Sequence, residues 1–187
     1  MPYTIKPLTP ETWDDFETLA QRHNGVWGGC WCIWFHQSPE IKRGSSEQNK
    51  ALKKSLVQQG RAHATLVYAD ALPIGWCQFG SPQELPAIYH KKEVESGDYV
   101  FPDWRITCIF IDKSYRGKGV AKAAVEGTLK LIRQAGGGVV ETYPQNTDEQ
   151  KISSSFLYNG TRSLFESCGF TLIRNKGKNH CVMRITV

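Results

Sequence analysis

The run CIFIDKSYRGKGVAKAAVEGTLKLI, residues 108–132, sets an apolar strand-like stretch before a charged turn, Arg116-Gly117-Lys118-Gly119, and an alanine-rich amphipathic segment after it. The next stretch, GGVVETYP, reads as another strand after a triple-glycine break at 136–138. Strand, helix, strand in that order implies a parallel pair, because a helix is the usual way for a chain to return to the same end of a sheet. The turn itself opens a helix. A helix amino terminus exposes unpaired N–H groups and the positive end of its dipole, so this junction is suited to an anion. Glycines at 117 and 119 leave no side chain between those amides and a phosphate, while Arg116 and Lys118 add charge at the rim. A solvated basic turn whose glycines only make the bend is the competing reading. Other phosphate motifs fail on spacing: no G-x-x-x-x-G-K-[ST] occurs, and G-x-G-x-x-G would need glycine where Lys122 stands.

The remaining chain reads as alternating helices and strands. TPETWDDFETLAQRH places Trp13, Phe16, Leu19 and Ala20 at helical spacing, and SSEQNKALKKSLVQQG carries a Ser45 or Ser46 cap, Leu52, Leu56 and Val57 on one face, and a Gly60 stop. HATLVYADALPIGWCQFGS predicts two strands around an Ala-Leu-Pro turn. A long polar loop then runs from about Pro82 to Trp104. RITCIFID is a buried strand, NGTRSLFESCGF a short helix, and TLIRN with NHCVMRITV two closing strands.

Composition excludes several classes. At 187 residues and 40% hydrophobic content the chain suits one domain spanning 1–187. Its net charge of +5 favours an anionic ligand, but without a concentrated basic run it does not point to nucleic acid. No signal-peptide core and no membrane-length apolar stretch is present, so a cytoplasmic protein without membrane attachment is expected. Four of the six cysteines sit singly in apolar runs, as buried thiols do. Cys30, Cys32 and His36 in WGGCWCIWFH offer three metal ligands, but the second half of a zinc site is missing, and no metal is expected.

The string Arg116-x-x-Gly119-x-Ala121 after an apolar strand resembles the acyl-coenzyme A pyrophosphate signature of the GNAT superfamily of N-acetyltransferases, [Arg/Gln]-x-x-Gly-x-[Gly/Ala]. NGTRSLFESCGFTLI is similar to that superfamily's later helix ending in Gly-Phe before a strand, and the element order matches over nearly the whole chain. The resemblance implies an α/β (α+β) fold: a central mixed sheet of about six to seven strands, flanked by helices, with a splayed parallel pair. It implies acetyl-CoA as cosubstrate and direct attack by an amine in a ternary complex. Backbone at Ile109 and Ile111 would bind the pantetheine arm and polarise the thioester carbonyl. The amides from Gly117 through Val120 to Ala121 would hold the pyrophosphate. Glu141, in the neighbouring strand, matches the family's acid as general base, against an ordinary strand residue as the alternative.

One departure stands out. Many members carry tyrosine before the last helix's Glu, to protonate the departing thiolate; here it is Phe165, which can pack on the pantetheine but has no proton to give. Tyr158 is the substitute donor, or else a core residue. Asn159 sits six residues before Phe165, one short of the family's common spacing.

For the acceptor, Trp27, Trp31, Trp34 and Phe35 form either an aromatic wall for a small molecule or a core plug; Gly28 and Gly29 oppose a continuous helix there. In the long loop Glu93, Glu95 and Asp98 read as solvated, and Asp103, beside Trp104, is the better ligand for a charged amine. A small-molecule amine acetyltransferase is the leading reading. A protein or peptide acetyltransferase and a catalytically silent coenzyme A-binding regulator are the alternatives, and a homodimer stays open.

Overall fold

The computed structural model describes residues 3–146 and 154–187. Seven strands form one mixed sheet in the order β1-β2-β3-β4-β5-β7-β6: β1 Thr4–Pro7, β2 His63–Ala69, β3 Leu72–Gly80, β4 Trp104–Ile111, β5 Val139–Thr142, β6 Thr171–Lys176 and β7 His180–Thr186. Helices α1 Trp13–Arg22, α2 Ser46–Gln58, α3 Lys91–Val94, α4 Val120–Gln134 and α5 Arg162–Glu166 complete the fold. Among the described residues no helix is long and apolar enough to cross a membrane.

The expected elements form, with three differences. Strand β1 has no counterpart in the sequence reading, because four mostly exposed residues on a sheet edge carry no usable alternation. The β2–β3 turn falls at Asp70-Ala71, one residue earlier than Ala-Leu-Pro. Asp70 takes the left-handed φ of 53° that a two-residue hairpin turn demands, leaving Leu72 and Pro73 in β3, paired to Ala69 and Tyr68. The long loop contains α3 and is pinned: Arg105 donates to the Leu85 carbonyl at 2.9 Å and to Glu95 at 3.2 Å, and Arg184 to the Val100 carbonyl at 2.6 Å. The Ser45 cap holds, in a capping box with Gln48.

Apolar clusters cover both faces of the sheet. On one side Phe16, Leu19, Leu56 and Trp31 pack with Leu66, Trp76 and Phe110, and on the other Val125, Leu129 and Ile132 of α4 pack with Val67, Ile74, Ile106 and Val140. The pairing of β3 with β4 then opens the sheet. Cys77 opposes Ile109 and Phe79 opposes Ile106, so Gln78 faces both Thr107 and Cys108 in a bulge. The bulge bends β4, and its parallel pairing with β5 runs only from Trp104↔Val140 to Ile106↔Thr142. Beyond that point β4 continues to Ile111 paired with β3 but no longer with β5, which is the expected splay.

A buried polar chain braces the bulge from α2. Fully buried Lys53 donates to Gln78 and contacts His36 Nε2 at 3.1 Å, and Gln78 donates to Thr107 at 3.1 Å. Burial, and then Lys53, hold His36 well below its usual 6.5, so the ring is neutral, accepts at Nε2 and donates from Nδ1 to the Glu84 carbonyl at 2.9 Å. His36 thus has its own partners, and Cys32 Sγ accepts from Trp76 Nε1 at 3.1 Å. Among the described residues no His, Cys, Asp and Glu group is arranged to hold a metal.

Candidate active site

The splay opens into a cleft of about 650 Å³ lined by Ile109, Ile111, Arg116 and Ala121 on one side and by Leu157, Gly160, Thr161 and Leu164 on the other. Its floor at one end is the tail of α1, Arg22 to Asn24, with Val26 and Trp27 beyond. At the α4 terminus Gly117 has φ 71° and Gly119 φ 78°, and nothing lies within 4 Å of where a Cβ would stand on either. Gly119 is the N-cap and makes no side-chain cap bond, so the first amides of α4 face outward without side-chain partners. These features fit a long anionic cosubstrate: bare amides at a helix start for the phosphates, and an unpaired strand edge for an extended amide-bearing arm.

The structure sorts the sequence candidates. Ile109, Ile111, Arg116 and Ala121 meet in the cleft. Val120 buries its side chain among the apolar residues packed on α4, so only its backbone can face the cleft. Lys118 turns away, its Nζ donating to the Ser114 carbonyl at 2.9 Å and lying over the Tyr115 ring. Phe165 does not line the cleft: it is fully buried against Phe170 at 5.0 Å, and Leu164 takes the cleft wall instead. A short helix can present only one of two adjacent residues to a given face, and Phe165 carries the larger apolar surface inward. Asn159 donates to the Tyr143 carbonyl at 3.2 Å, tying its segment to the chain just past β5.

Next to the cleft lies a second, smaller pocket of about 280 Å³, lined by Trp27, Trp34, Phe35, Tyr89 and Tyr158, with Cys30, Cys108 and Arg43. Trp27 lines both spaces. Cys108 in the pocket precedes Ile109 in the cleft, and Tyr158 in the pocket follows Leu157 in the cleft, so the two spaces share walls along two chain segments. The Trp34 and Tyr89 rings stack at 4.0 Å, and Tyr158 stands 6.1 Å from Trp27 and 6.4 Å from Tyr89. Burial, with Tyr89 beside it, pushes the Tyr158 phenol far above its usual 10. It stays protonated through the neutral range.

The tryptophan segment therefore splits. Trp27 and Trp34 are wall, while Trp31 is plug, buried between Phe16 and Ser46, to whose hydroxyl its Nε1 donates at 3.0 Å. No continuous helix forms: Val26, Trp27, Trp31 and Cys32 all take φ between 40° and 55°, a region costly for such residues and often stored at functional sites. Asp103 is not at the pocket. It sits by the amino end of β4, where its carboxylate accepts from Val139 N–H at 2.7 Å and fastens the β4–β5 start.

Glu141 faces neither space. It is fully buried beneath the long loop, beside a cavity lined also by Tyr99, Val100 and Arg184. Its Oε1 accepts from Tyr99 and Tyr143, each at 2.6 Å, and its Oε2 accepts from Arg184 Nε at 2.7 Å, with Arg184 Nη2 at 2.6 Å completing the ion pair. Burial, and the carboxylate, push both phenols up, so they remain donors to it. Sequence reasoning missed Tyr89 and Arg43 of the pocket and Leu164 of the cleft. An aromatic in a loop and a lone arginine before a helix carry no periodic signal.

The model of the acetyltransferase (GNAT) family matches residues 31–170, three quarters of the chain. The chain belongs to this family. As a GNAT member it is an acyltransferase, and acetyl-CoA is the family's cosubstrate. Solved structures share its fold at low identity. The paia N-acetyltransferase of Thermoplasma acidophilum, in complex with coenzyme A, is 15% identical with a TM-score of 0.56, covering 100% of each chain. Arabidopsis thaliana NAA60, in complex with acetyl-CoA, is 15% identical with a TM-score of 0.52, again over 100% of each chain. The ribosomal-protein-S18-alanine N-acetyltransferase of Escherichia coli is 12% identical with a TM-score of 0.51, covering 100% of this chain and 94% of the other. No curated protein matches.

Proposed function

We propose that this GNAT chain, acting as one domain over 1–187, transfers the acetyl group of acetyl-CoA to the amine of a small molecule held in the aromatic pocket. The observation that carries the reading is that this pocket adjoins the cofactor cleft: Trp27 lines both, and the neighbouring residues Cys108-Ile109 and Leu157-Tyr158 are divided between them. Acetyl-CoA supplies the acyl group as a thioester. Ile109 and Ile111 would offer backbone to its pantetheine arm, and the amides from Gly117 to Ala121 would bind its pyrophosphate. A pocket of this size suits a small acceptor better than a peptide, which needs an open groove. Six free cysteines fit a reducing, cytoplasmic setting.

In this reading Tyr158 gives a proton to the leaving thiolate, taking the role Phe165 lacks the hydroxyl to fill. The thiol resembles cysteine in acidity and leaves readily, so the contribution sits at the low end for a general acid, roughly 100-fold. Tyr158→Phe is expected to lower kcat by about that factor while calorimetry finds acetyl-CoA affinity unchanged. Full activity in the variant would return Tyr158 to a wall residue.

Glu141 acts as a positioning residue for the loop that carries Tyr89, with its three hydrogen bonds and the Arg184 ion pair leaving no oxygen directed at a substrate. Among the described residues, the aromatic pocket offers no carboxylate and no histidine, so in this reading the acceptor's own ionisation governs the rate: kcat/KM climbs with pH to the amine's pKa. Glu141→Gln should keep that pH profile, lower stability by about 2 kcal/mol through the weakened Arg184 pair, and raise the acceptor's KM. A turnover loss confined to neutral pH and relieved at high pH would instead make Glu141 the base.

A further inference from the structure

The aromatic pocket has a charge pattern that selects among small amines. Its walls are the rings of Trp27, Trp34, Phe35, Tyr89 and Tyr158, and among the described residues lining it the one formal charge is Arg43 at the rim. Arg43 is exposed and makes only two long contacts, 3.5 Å each, to the carbonyls of Trp27 and Gly28. No described carboxylate pairs with it. The acids that would attract a cationic acceptor are engaged elsewhere: Glu95 with Arg105, Glu93 with Gly177 N–H, Asp103 with Val139 N–H.

We propose that the acceptor is an aromatic amine that also carries a carboxylate, an aromatic amino acid or close analogue. This rests on the small-amine acetylation reading above. The ring fills the aromatic box, the carboxylate takes the planar fork of Arg43, and the amine is left toward Cys108 and the cleft. A guanidinium with no ionic partner among the described residues, beside an aromatic pocket, matches an acceptor that is apolar at one end and anionic at the other. A polyamine finds no acid among the described residues that line this pocket. An aromatic box can hold an ammonium over its faces, but an ammonium cannot attack a thioester, so a box that binds the ring and leaves the amine free is the productive arrangement. In the reaction the neutral amine forms the N–C bond to the acetyl carbon, the C–S bond breaks, the nitrogen's extra proton passes to solvent, and the thiolate is protonated to coenzyme A.

The test uses the full chain with saturating acetyl-CoA and free-thiol release as readout, on matched pairs: L-tryptophan with tryptamine, L-phenylalanine with phenethylamine, and spermidine as a cationic control. The carboxylate-bearing member of each pair is expected to have at least tenfold higher kcat/KM than its decarboxylated partner. In Arg43→Gln that ratio should fall toward one, with the change in KM for the amino acid. Indole-3-propionate, which has the ring and carboxylate but no amine, should inhibit competitively against the amine. Equal or better turnover of tryptamine or spermidine, or an unchanged ratio in Arg43→Gln, would overturn the acceptor class while leaving acetylation of small amines standing. No thiol release with any amine, alongside normal acetyl-CoA binding, would overturn both.

Discussion

Gly119→Val is expected to weaken acetyl-CoA binding well over tenfold while the protein stays folded. The residue stands at φ 78° as the N-cap of α4, and a Cβ built there meets nothing within 4 Å. The free protein therefore has space for a side chain, and the substitution costs it only the backbone strain of a β-branched residue in the left-handed region, about 1 to 2 kcal/mol. Binding suffers more. The open space in front of the α4 amides is the proposed seat of the phosphates, and an isopropyl group would occupy it. Gly60, at φ 64° past the end of α2 and also with nothing within 4 Å, separates the two effects. Gly60→Val should show a similar loss in denaturant unfolding and unchanged affinity by calorimetry. Equal affinity in wild type and Gly119→Val would remove the turn from the cofactor site.

Much of this was readable in the chain, for identifiable reasons. The strand, turn and helix around residues 104–134 declare themselves because apolar run, glycine pair and amphipathic spacing each impose a different backbone, and the parallel β4–β5 pair follows from their order. What escaped depends on contacts distant in sequence. Whether Leu164 or Phe165 faces the cleft is set by how α5 rotates onto Phe170. Glu141 lies in the strand where a base was expected, yet Tyr99, 42 residues away, and Arg184, 43 residues away, close around it. The bulge that spreads β4 is one extra residue opposite Gln78 and leaves no mark in the alternation of RITCIFID. Arg43 and Tyr89 reach one pocket from separate loops.

The tryptophan segment gives the second large effect, because two of its indoles differ in what surrounds them. Trp31 is 3% exposed, packs on Phe16 and satisfies its N–H on Ser46, and the backbone of Gly25 lies close against its ring. Removing it empties a buried aromatic site. Trp31→Ala should cost about 3 to 5 kcal/mol in denaturant unfolding, the usual penalty for a buried aromatic. Trp34 is only partly buried, and its principal partner is Tyr89, stacked directly against it at 4.0 Å, both rings lining the pocket. Trp34→Ala removes a wall rather than a core, so it should cost roughly 1 kcal/mol of stability, on the scale of an aromatic pair, and raise the acceptor's KM at least tenfold. Acetyl-CoA affinity should stay normal in Trp34→Ala, whose residue lines the aromatic pocket and not the neighbouring cleft. The contrast is the decisive quantity, since unfolding and steady-state kinetics are measured separately on each variant. If Trp31→Ala were fully stable, the segment would not be plugging the core, and if Trp34→Ala kept a normal acceptor KM, the aromatic box would not be where the amine's partner group binds.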